Sequence, residues 1–338
     1  MLWVFSGSFA LLVASRLLCG VASGNISTAS AVIADVTEGK HRARGMGLLG
    51  MSIGLGFILG PVLCLLAMKL APAHDGTWSH GLALNPFSGP AILSAALALL
   101  NLTWIAARFR ESLPPERRGA SSHSRVLNPF AQRRRLAFPG IARTNTITFW
   151  FFAAFSGMEF TLTFLTVEHL HYGVAQNARM FVFAGLVIAL VQGGLVRRLV
   201  PRVGERRVAF LGLALLAPGF AAIGAVAAIG AAHGSEVLYT GLFLMAVGSA
   251  LAMPSLSSLA SRYAPGDRQG LALGTNRSLQ ALARAIGPIA ACLLYWRIGS
   301  AASYWIGAAS LVLPLALILA LPPLPAEEVL QEVVARDR

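Results

Sequence analysis

The chain has 338 residues, of which 56% are hydrophobic and 12% charged, whereas soluble domains average about 45–50% apolar and 25% charged residues. This composition excludes an ordinary soluble protein and indicates an integral membrane protein. Lys and Arg outnumber Asp and Glu by 27 to 14, yet the basic residues lie in short loops between apolar runs. That distribution favours contact with an anionic bilayer surface over binding to nucleic acid.

Nine apolar segments are long enough to cross a hydrocarbon core of about 30 Å as helices of roughly 20 residues. In chain order they are 8–33, 47–68, 90–107, 144–167, 179–196, 208–230, 238–260, 270–295 and 301–321. The predicted fold is therefore all-α and polytopic, with nine transmembrane helices. The cysteines Cys19, Cys64 and Cys292 lie within these segments without metal-ligand spacing. We expect no disulfide framework, no metal site and no cofactor.

The loops predict how the chain is oriented in the membrane. Four of them hold 19 Lys and Arg residues together, whereas the loops on the opposite side hold few; the four are 34–46, 108–143, 197–207 and 261–269. The positive-inside rule places these loops and the tail 322–338 in the cytoplasm, and residues 70–89 outside. Because only two of the basic residues are lysines, a bias typical of GC-rich bacterial genes, the predicted location is a bacterial inner membrane.

The longest polar stretch, residues 108–143, contains an arginine run at 133–135 and divides the chain. We interpret it as a cytoplasmic linker between a first helical bundle at 1–107 and a six-helix bundle at 144–321. The arginine run is more typical of an orientation signal than of a binding site.

An internal repeat relates the two halves. Residues 35–61 superpose without gaps on residues 262–288 at a constant offset of 227, which aligns Gly60-Pro61 with Gly287-Pro288. A repeat of this length indicates a fold built from two similar halves. The same offset places the start of an equivalent first half about 83 residues before Met1. We therefore expect three further helices upstream, and interpret residues 1–107 as helices four to six of twelve.

Small residues line two helix faces in the first half. Gly20 and Gly24 lie four residues apart, as do Gly56 and Gly60, so that a neighbouring helix can approach closely. Pro61 removes one backbone hydrogen bond and tends to bend its helix. A bend beside a smooth face suits helices that rock against each other, and it equally suits static packing.

Arg16 lies within the first predicted span, where a charge costs about 2.5–3.5 kcal/mol unless it is paired or hydrated. Two interpretations fit this position. Either Arg16 faces a polar cavity, or it reaches the outer headgroups from a helix that begins later in the chain.

Glu159 lies near the middle of its span, where a carboxylate is costly and usually functional. Helical spacing places it on one polar stripe, which we expect to face water or substrate. The stripe consists of Asn145, Thr148, Ser156, Glu159, Thr163 and Thr166. A buried carboxyl group can exchange protons near neutral pH, as coupling to a proton gradient requires. The alternative is a structural ion pair.

Arg277, Gln280 and Arg284 fall at i, i+3 and i+7 on one helix face, and the helical rise places Arg284 close to the membrane midplane. These side chains suit an anionic group of a substrate. Equally, Arg284 suits the neutralisation of Glu159.

Taken together, these motifs resemble the major facilitator superfamily, in particular its drug:proton antiporters of the tetracycline-efflux type. Residues 16–24 resemble the fourth-helix R-x-x-x-G motif. Residues 56–61 resemble the fifth-helix antiporter motif, although Cys64 and Leu65 replace its closing glycines.

The second half extends the resemblance. Gly194, Arg197, Arg198 and Gly204 resemble the second copy of the superfamily's loop motif. Residues 155–165 and 277–288, the latter ending in Gly287-Pro288, are similar to the eukaryotic tetracycline-transporter-like branch associated with organic-anion movement. The resemblance implies that the glycines, prolines and arginines of these motifs are conformational or gating elements.

The resemblance implies two helical bundles about a central cavity and a secondary active transporter, not an enzyme. The predicted function is proton-coupled efflux of small amphipathic organic compounds, with the substrate, protons and the lipid bilayer as partners. A proton-independent facilitator or organic-anion transporter is the first alternative, and it has less need of Glu159. An intramembrane hydrolase would need a second carboxylate or metal ligand within the spans. A truncated, non-transporting membrane protein is the last alternative.

Overall fold

The computed structural model describes residues 4–5, 8–22, 32, 36, 52, 55–56, 59–68, 88–109, 140–264 and 269–324. Within these ranges the regular secondary structure is entirely helical. The chain forms two compact units, Met1–Arg125 and Val126–Arg338. The division falls inside the segment 108–143 that the sequence analysis interprets as a linker, while the domain bounds given there stay a prediction.

The first unit contains three helices in its described part. They are α1 (Phe9–Ala22), α2 (Leu59–Met68) and α3 (Ser88–Arg108). Of these, α3 is long and apolar enough to cross a membrane, whereas α1 and α2 are shorter apolar helices. The predicted spans 8–33 and 47–68 extend into residues outside the described ranges.

The second unit contains six membrane-spanning segments, which agree in number and order with the predicted six-helix bundle. Its helices are α4 (Ile141–Leu170), α5 (Val174–Leu190), a π-helical stretch (Val191–Val196), α6 (Arg197–Val203), α7 (Glu205–Ile229), α8 (Ala231–Arg262), α9 (Gln269–Ile298), α10 (Ser300–Ser310) and α11 (Val312–Leu319). The segment from α5 to α6 forms one span, as do α10 and α11. With α3, the described residues contain seven helical spans, which confirms the all-α polytopic fold.

Helices α7 and α8 cross closely because small residues meet at their contact. A Cβ added at Gly212 would lie 2.6 Å from the Gly248 carbonyl oxygen, and one added at Gly248 would lie 2.6 Å from the Gly212 oxygen. Only glycine at both positions permits this approach. The two helices are joined by the single residue Gly230, whose φ of +71° lies in the left-handed region that favours glycine.

The core of the second unit lies between α4, α7, α8 and α10. Phe151, Leu216, Phe220 and Tyr304 are fully buried there. The Tyr304 hydroxyl donates to the Met158 carbonyl oxygen at 3.2 Å, so that the buried hydroxyl is satisfied. This core holds α4 in place, and α4 in turn carries the candidate site.

Candidate functional site

A buried amide cluster joins α4 to α9. The Asn276 Nδ2 group donates to Asn145 Oδ1 at 3.0 Å and to Thr148 Oγ1 at 3.1 Å. The Gln280 Nε2 group donates to Asn276 Oδ1 at 2.7 Å. Asn145, Thr148 and Asn276 are all less than 9% exposed. Because each polar group is paired across or along the helices, the cluster fixes the rotation of α9 relative to α4.

Two to three turns further along, the same two helices approach each other at glycines. A Cβ at Gly287 would overlap the Ala153 carbonyl oxygen and lie 2.6 Å from Ser156 Oγ. A Cβ at Gly157 would lie 2.8 Å from the Gly287 carbonyl oxygen. Gly287, predicted as a conformational element, is therefore a close-contact position, and Pro288 follows it within α9.

Glu159 and Arg284 project from this pair of helices. Glu159 is partly exposed and Arg284 is exposed, and the charge of Arg284 acts on the Glu159 carboxyl group. The Arg284 nitrogens and the Glu159 carboxylate oxygens lie more than 4.0 Å apart, so the two residues form no ion pair. No described residue hydrogen-bonds the Glu159 carboxylate. The Arg284 guanidinium lies over the Phe152 ring, 5.3 Å from its centroid, a cation–π contact that orients it.

The remaining predicted site residues of this region lie on the same two helices. Thr163 is partly exposed one turn after Glu159, and its carbonyl oxygen accepts a hydrogen bond from Thr166 Oγ1 at 3.0 Å. Gln280 is partly exposed and belongs to the amide cluster, while Arg277 is exposed. The expected face of Arg277, Gln280 and Arg284 therefore exists, with Gln280 turned towards the helix contact.

The prediction that the whole α4 stripe faces water or substrate is wrong for four of its six members. Asn145, Thr148, Ser156 and Thr166 are at most 8% exposed. Thr166 Oγ1 donates to Asn177 Oδ1 of α5 at 2.6 Å, much as Asn145 and Thr148 accept from Asn276. Polar side chains within a membrane span satisfy one another between helices, and periodicity does not distinguish such contacts from a water-facing surface.

The predicted loop motif of the second half lies at the ends of α5 to α7. Gly194 falls in the π-helical stretch, and Arg197 and Arg198 begin α6 with exposed side chains. Gly204 adopts a φ of +83°, a left-handed conformation that favours glycine and reverses the chain between α6 and α7. Gly204 thus forms the turn between two spans, while Gly194, Arg197 and Arg198 lie in the helical segment before it.

The strongest charged contact at this end involves residues that the sequence analysis did not single out. Glu205 Oε2 lies 2.5 Å from Arg262 Nη1, and Glu205 Oε1 accepts from Ser258 Oγ at 3.2 Å. It is the one ion pair among the described residues. These contacts tie the beginning of α7 to the end of α8.

The end of α11 is held by side chains from three other segments. Arg206 donates to the Ile318 and Leu319 carbonyl oxygens at 3.0 and 2.6 Å, and Arg143 donates to the Ala320 carbonyl oxygen. The Tyr263 hydroxyl donates to the Pro322 carbonyl oxygen at 2.6 Å. Burial raises the pKa of Tyr263, which keeps the hydroxyl protonated as a donor. Together these contacts satisfy the free carbonyl groups at the helix end.

The predicted residues of the first unit are less enclosed. Arg16 and Gly20 are exposed on α1. Gly56 and Gly60, further along the chain, are also exposed, and Pro61 is partly exposed. A Cβ added at Gly20, Gly56 or Gly60 would meet no described atom within 4 Å. The close helix approach expected there is therefore not made by the described residues of this unit, and Gly24 lies outside them.

Comparison with known proteins decides the family. The profile of the Major Facilitator Superfamily matches residues 1–203 and 195–336, nearly the whole chain. The chain belongs to this superfamily. It is therefore a multi-pass membrane protein of a small-molecule transporter family, not an enzyme, as predicted.

Relatives of this superfamily member come from animals and bacteria. It is 32% identical to Major facilitator superfamily domain-containing protein 10 of Bos taurus, over 95% of this chain and 69% of that protein. It is 26% identical to the class C tetracycline resistance protein of Escherichia coli, over 93% of this chain and 73% of that protein. The crystal structure of the human organic anion transporter MFSD10 (TETRAN) matches with a TM-score of 0.68 and 32% identity, covering 94% of this chain and 73% of that one. The resemblance to tetracycline-transporter-like proteins is confirmed.

Proposed function

We propose that this protein carries out proton-coupled efflux of small amphipathic organic compounds, with Glu159 as the proton site. One observation carries the proposal. Glu159 is partly exposed within a membrane-spanning helix, and none of the described residues pairs with its carboxylate. A carboxylate in that position is costly unless it titrates or binds a ligand. Relatives named as tetracycline resistance proteins support efflux.

The coupling follows from competition at one carboxylate. An amine or other donor group of a substrate can bind ionised Glu159, and a proton neutralises the same group. Since both ligands need the carboxylate, proton binding on one side releases substrate there, which is the requirement for antiport.

The proposal is tested with the purified protein in proteoliposomes. An imposed pH gradient should drive accumulation of a fluorescent amphipathic amine by wild-type protein. Glu159→Gln keeps the shape and hydrogen-bonding capacity of the side chain but cannot titrate, so accumulation should fall to the level of empty liposomes. Thr163→Val, a neighbouring change that removes a polar group but no titratable one, is the matched control. Gradient-driven accumulation by the Glu159→Gln protein would reject the proton role.

A second candidate function, transport of organic anions, rests on Arg284. Its guanidinium is exposed, oriented by Phe152 and free of an ion pair with any described carboxylate. A relative 32% identical to this chain is named as an organic anion transporter. In this case the substrate and the proton bind to different residues, so they need not compete as they do in the proposed efflux. An anion on Arg284 would offset the positive charge that acts on Glu159, so an anion and a proton should favour each other's binding.

The pH dependence of binding distinguishes the two functions. If the substrate and the proton compete for Glu159, affinity rises as pH rises. If an anion occupies Arg284, affinity rises as pH falls. Thermal-shift titrations of one amphipathic amine and one amphipathic carboxylate, at several pH values, measure both slopes.

For the membrane context we propose a bacterial inner membrane, with the tail 322–338 in the cytoplasm. The arginine-rich loops and the near absence of lysine support this orientation and source. For the domain organisation we propose the first bundle at 1–107, the linker at 108–143 and the second bundle at 144–321.

A further inference from the structure

A cavity outside the candidate site lies at the arginine-rich end of the second unit. Its volume is about 530 Å³, and it lies between α6, the start of α7 and the end of α11. Six apolar side chains and two arginines line it: Leu199, Val203, Phe210, Leu211, Ile318, Leu319, Arg206 and Arg207. An apolar wall with positive charge at one edge is an amphipathic binding surface.

The two arginines at this edge have different roles. Arg206 is committed to the protein, because its Nε and Nη2 groups donate to the Ile318 and Leu319 carbonyl oxygens. Arg207 is exposed, and no described residue forms an ion pair or hydrogen bond with it. Glu205, the acidic residue closest to Arg207 in the sequence, is already paired with Arg262. The positive charge at the cavity is therefore not neutralised by the described part of the protein.

The apolar wall is open to the surroundings. Leu211 is 45% exposed and Leu319 is 64% exposed, and both belong to membrane-spanning segments. In a bilayer such side chains contact acyl chains, while arginines at the end of a span lie at headgroup depth. The cavity thus places positive charge at the depth of a lipid phosphate and apolar surface at the depth of its acyl chain.

We propose that this cavity binds an anionic phospholipid, with its phosphodiester on Arg207 and the free Nη1 of Arg206, and an acyl chain along Leu211 and Leu319. Charge complementarity selects an anionic over a zwitterionic headgroup, and basic pockets between helices at a membrane surface bind such lipids. A bound lipid would contact both α7 and α11. It should therefore reinforce the junction that Arg206 already makes with the end of α11.

The test is a thermal-shift titration of the 338-residue chain in detergent micelles. Dioleoyl-phosphatidylglycerol should raise the unfolding temperature in a saturable way, and dioleoyl-phosphatidylcholine should raise it much less. Arg207→Gln should weaken the apparent affinity for phosphatidylglycerol about five-fold, the effect of one surface arginine on an anionic lipid. Since Arg207 is exposed and forms no ion pair or hydrogen bond with the described residues, this variant should fold normally.

The matched control is Arg202→Gln. Arg202 is an exposed arginine of the same basic segment but does not line the cavity, so its loss should leave the lipid affinity unchanged. Equal weakening by Arg202→Gln and Arg207→Gln would overturn the site, because it would show a general surface attraction. Equal shifts with phosphatidylcholine, or with inorganic phosphate at the same concentration, would also overturn it, the latter by showing a free-anion site.

Discussion

Asn276 of α9 and Asn145 of α4 are joined by a buried hydrogen bond of 3.0 Å. With Thr148 and Gln280, this bond forms a buried polar contact between the two helices. Glu159 and Arg284 project from the same two helices, further along each. The amide cluster therefore sets the relative position of the two charges that carry the proposed function.

Replacing Asn276 with Leu should lower the stability of the protein. Hydrogen bonds between membrane helices contribute about 0.6 kcal/mol each on average, so the loss of the two bonds from Asn276 to α4 should cost roughly 1 kcal/mol. Ser278→Ala is the control, since Ser278 is exposed on the same helix and its hydroxyl donates only to the Gly274 carbonyl oxygen of that helix. Thermal unfolding in detergent measures both. An unchanged unfolding temperature for Asn276→Leu would contradict the structural role of the cluster.

Gly287→Val tests the close approach of α4 and α9. The new side chain would meet Ala153 and Ser156, and overpacking a tight contact costs about 1–3 kcal/mol. Gly274→Val changes the same residue type in the same helix, where a Cβ meets nothing within 4 Å. We expect a clear loss of unfolding temperature for the first variant and little for the second. Equal losses would show that helix propensity, not packing, determines the effect.

Much of the fold could be predicted from the sequence because membrane helices have a strong local signal. Apolar runs gave the six spans of the second unit, and Glu159 and Arg284 stood out as isolated charges within them. The amide cluster had no such signal. Asn276 lies 131 residues from Asn145, and an uncharged amide in a span resembles any other polar residue until its partner is known.

The same reason explains the other differences. The six polar residues on one face of α4 predict a surface that faces water or substrate, but the ends of this stripe are buried against α9 and α5. Glu205 and Arg262 are 57 residues apart and sit at helix ends, where charged residues are common. Which of them pair depends on the arrangement of the helices, and helical periodicity contains no information on that arrangement.

Arg284→Gln tests the anion-binding role of the arginine. A hydrogen bond to a charged group contributes about 1.5–3 kcal/mol, so an amphipathic carboxylate should bind about ten-fold or more weakly, while its neutral methyl ester should be little affected. Arg277→Gln, an exposed arginine two turns away on the same face, is the comparison. Thermal-shift titration with both ligands gives the affinities. Equal losses for the acid and the ester would indicate a structural role instead.

Orientation can be measured with single cysteines at Ser121 and Ser79, in a background without Cys19, Cys64 and Cys292. Both serines lie outside the described residues. The arginine-rich loops predict that Ser121→Cys is cytoplasmic and Ser79→Cys external. In intact cells an impermeant thiol reagent should label only Ser79→Cys, and both after permeabilisation. Labelling of Ser121→Cys from outside would reverse the assigned topology.

Proton flux tests most directly whether Glu159 couples substrate movement to proton movement. Proteoliposomes are loaded with an amphipathic quaternary ammonium substrate, which carries no dissociable proton, and a trapped pH-sensitive dye, then diluted into substrate-free buffer without an imposed pH gradient. As substrate leaves, wild-type protein should bring protons in and acidify the lumen, whereas Glu159→Gln should give no acidification although it still binds the substrate. Substrate efflux by the wild type without a change in luminal pH, or equal acidification by Glu159→Gln, would contradict the account.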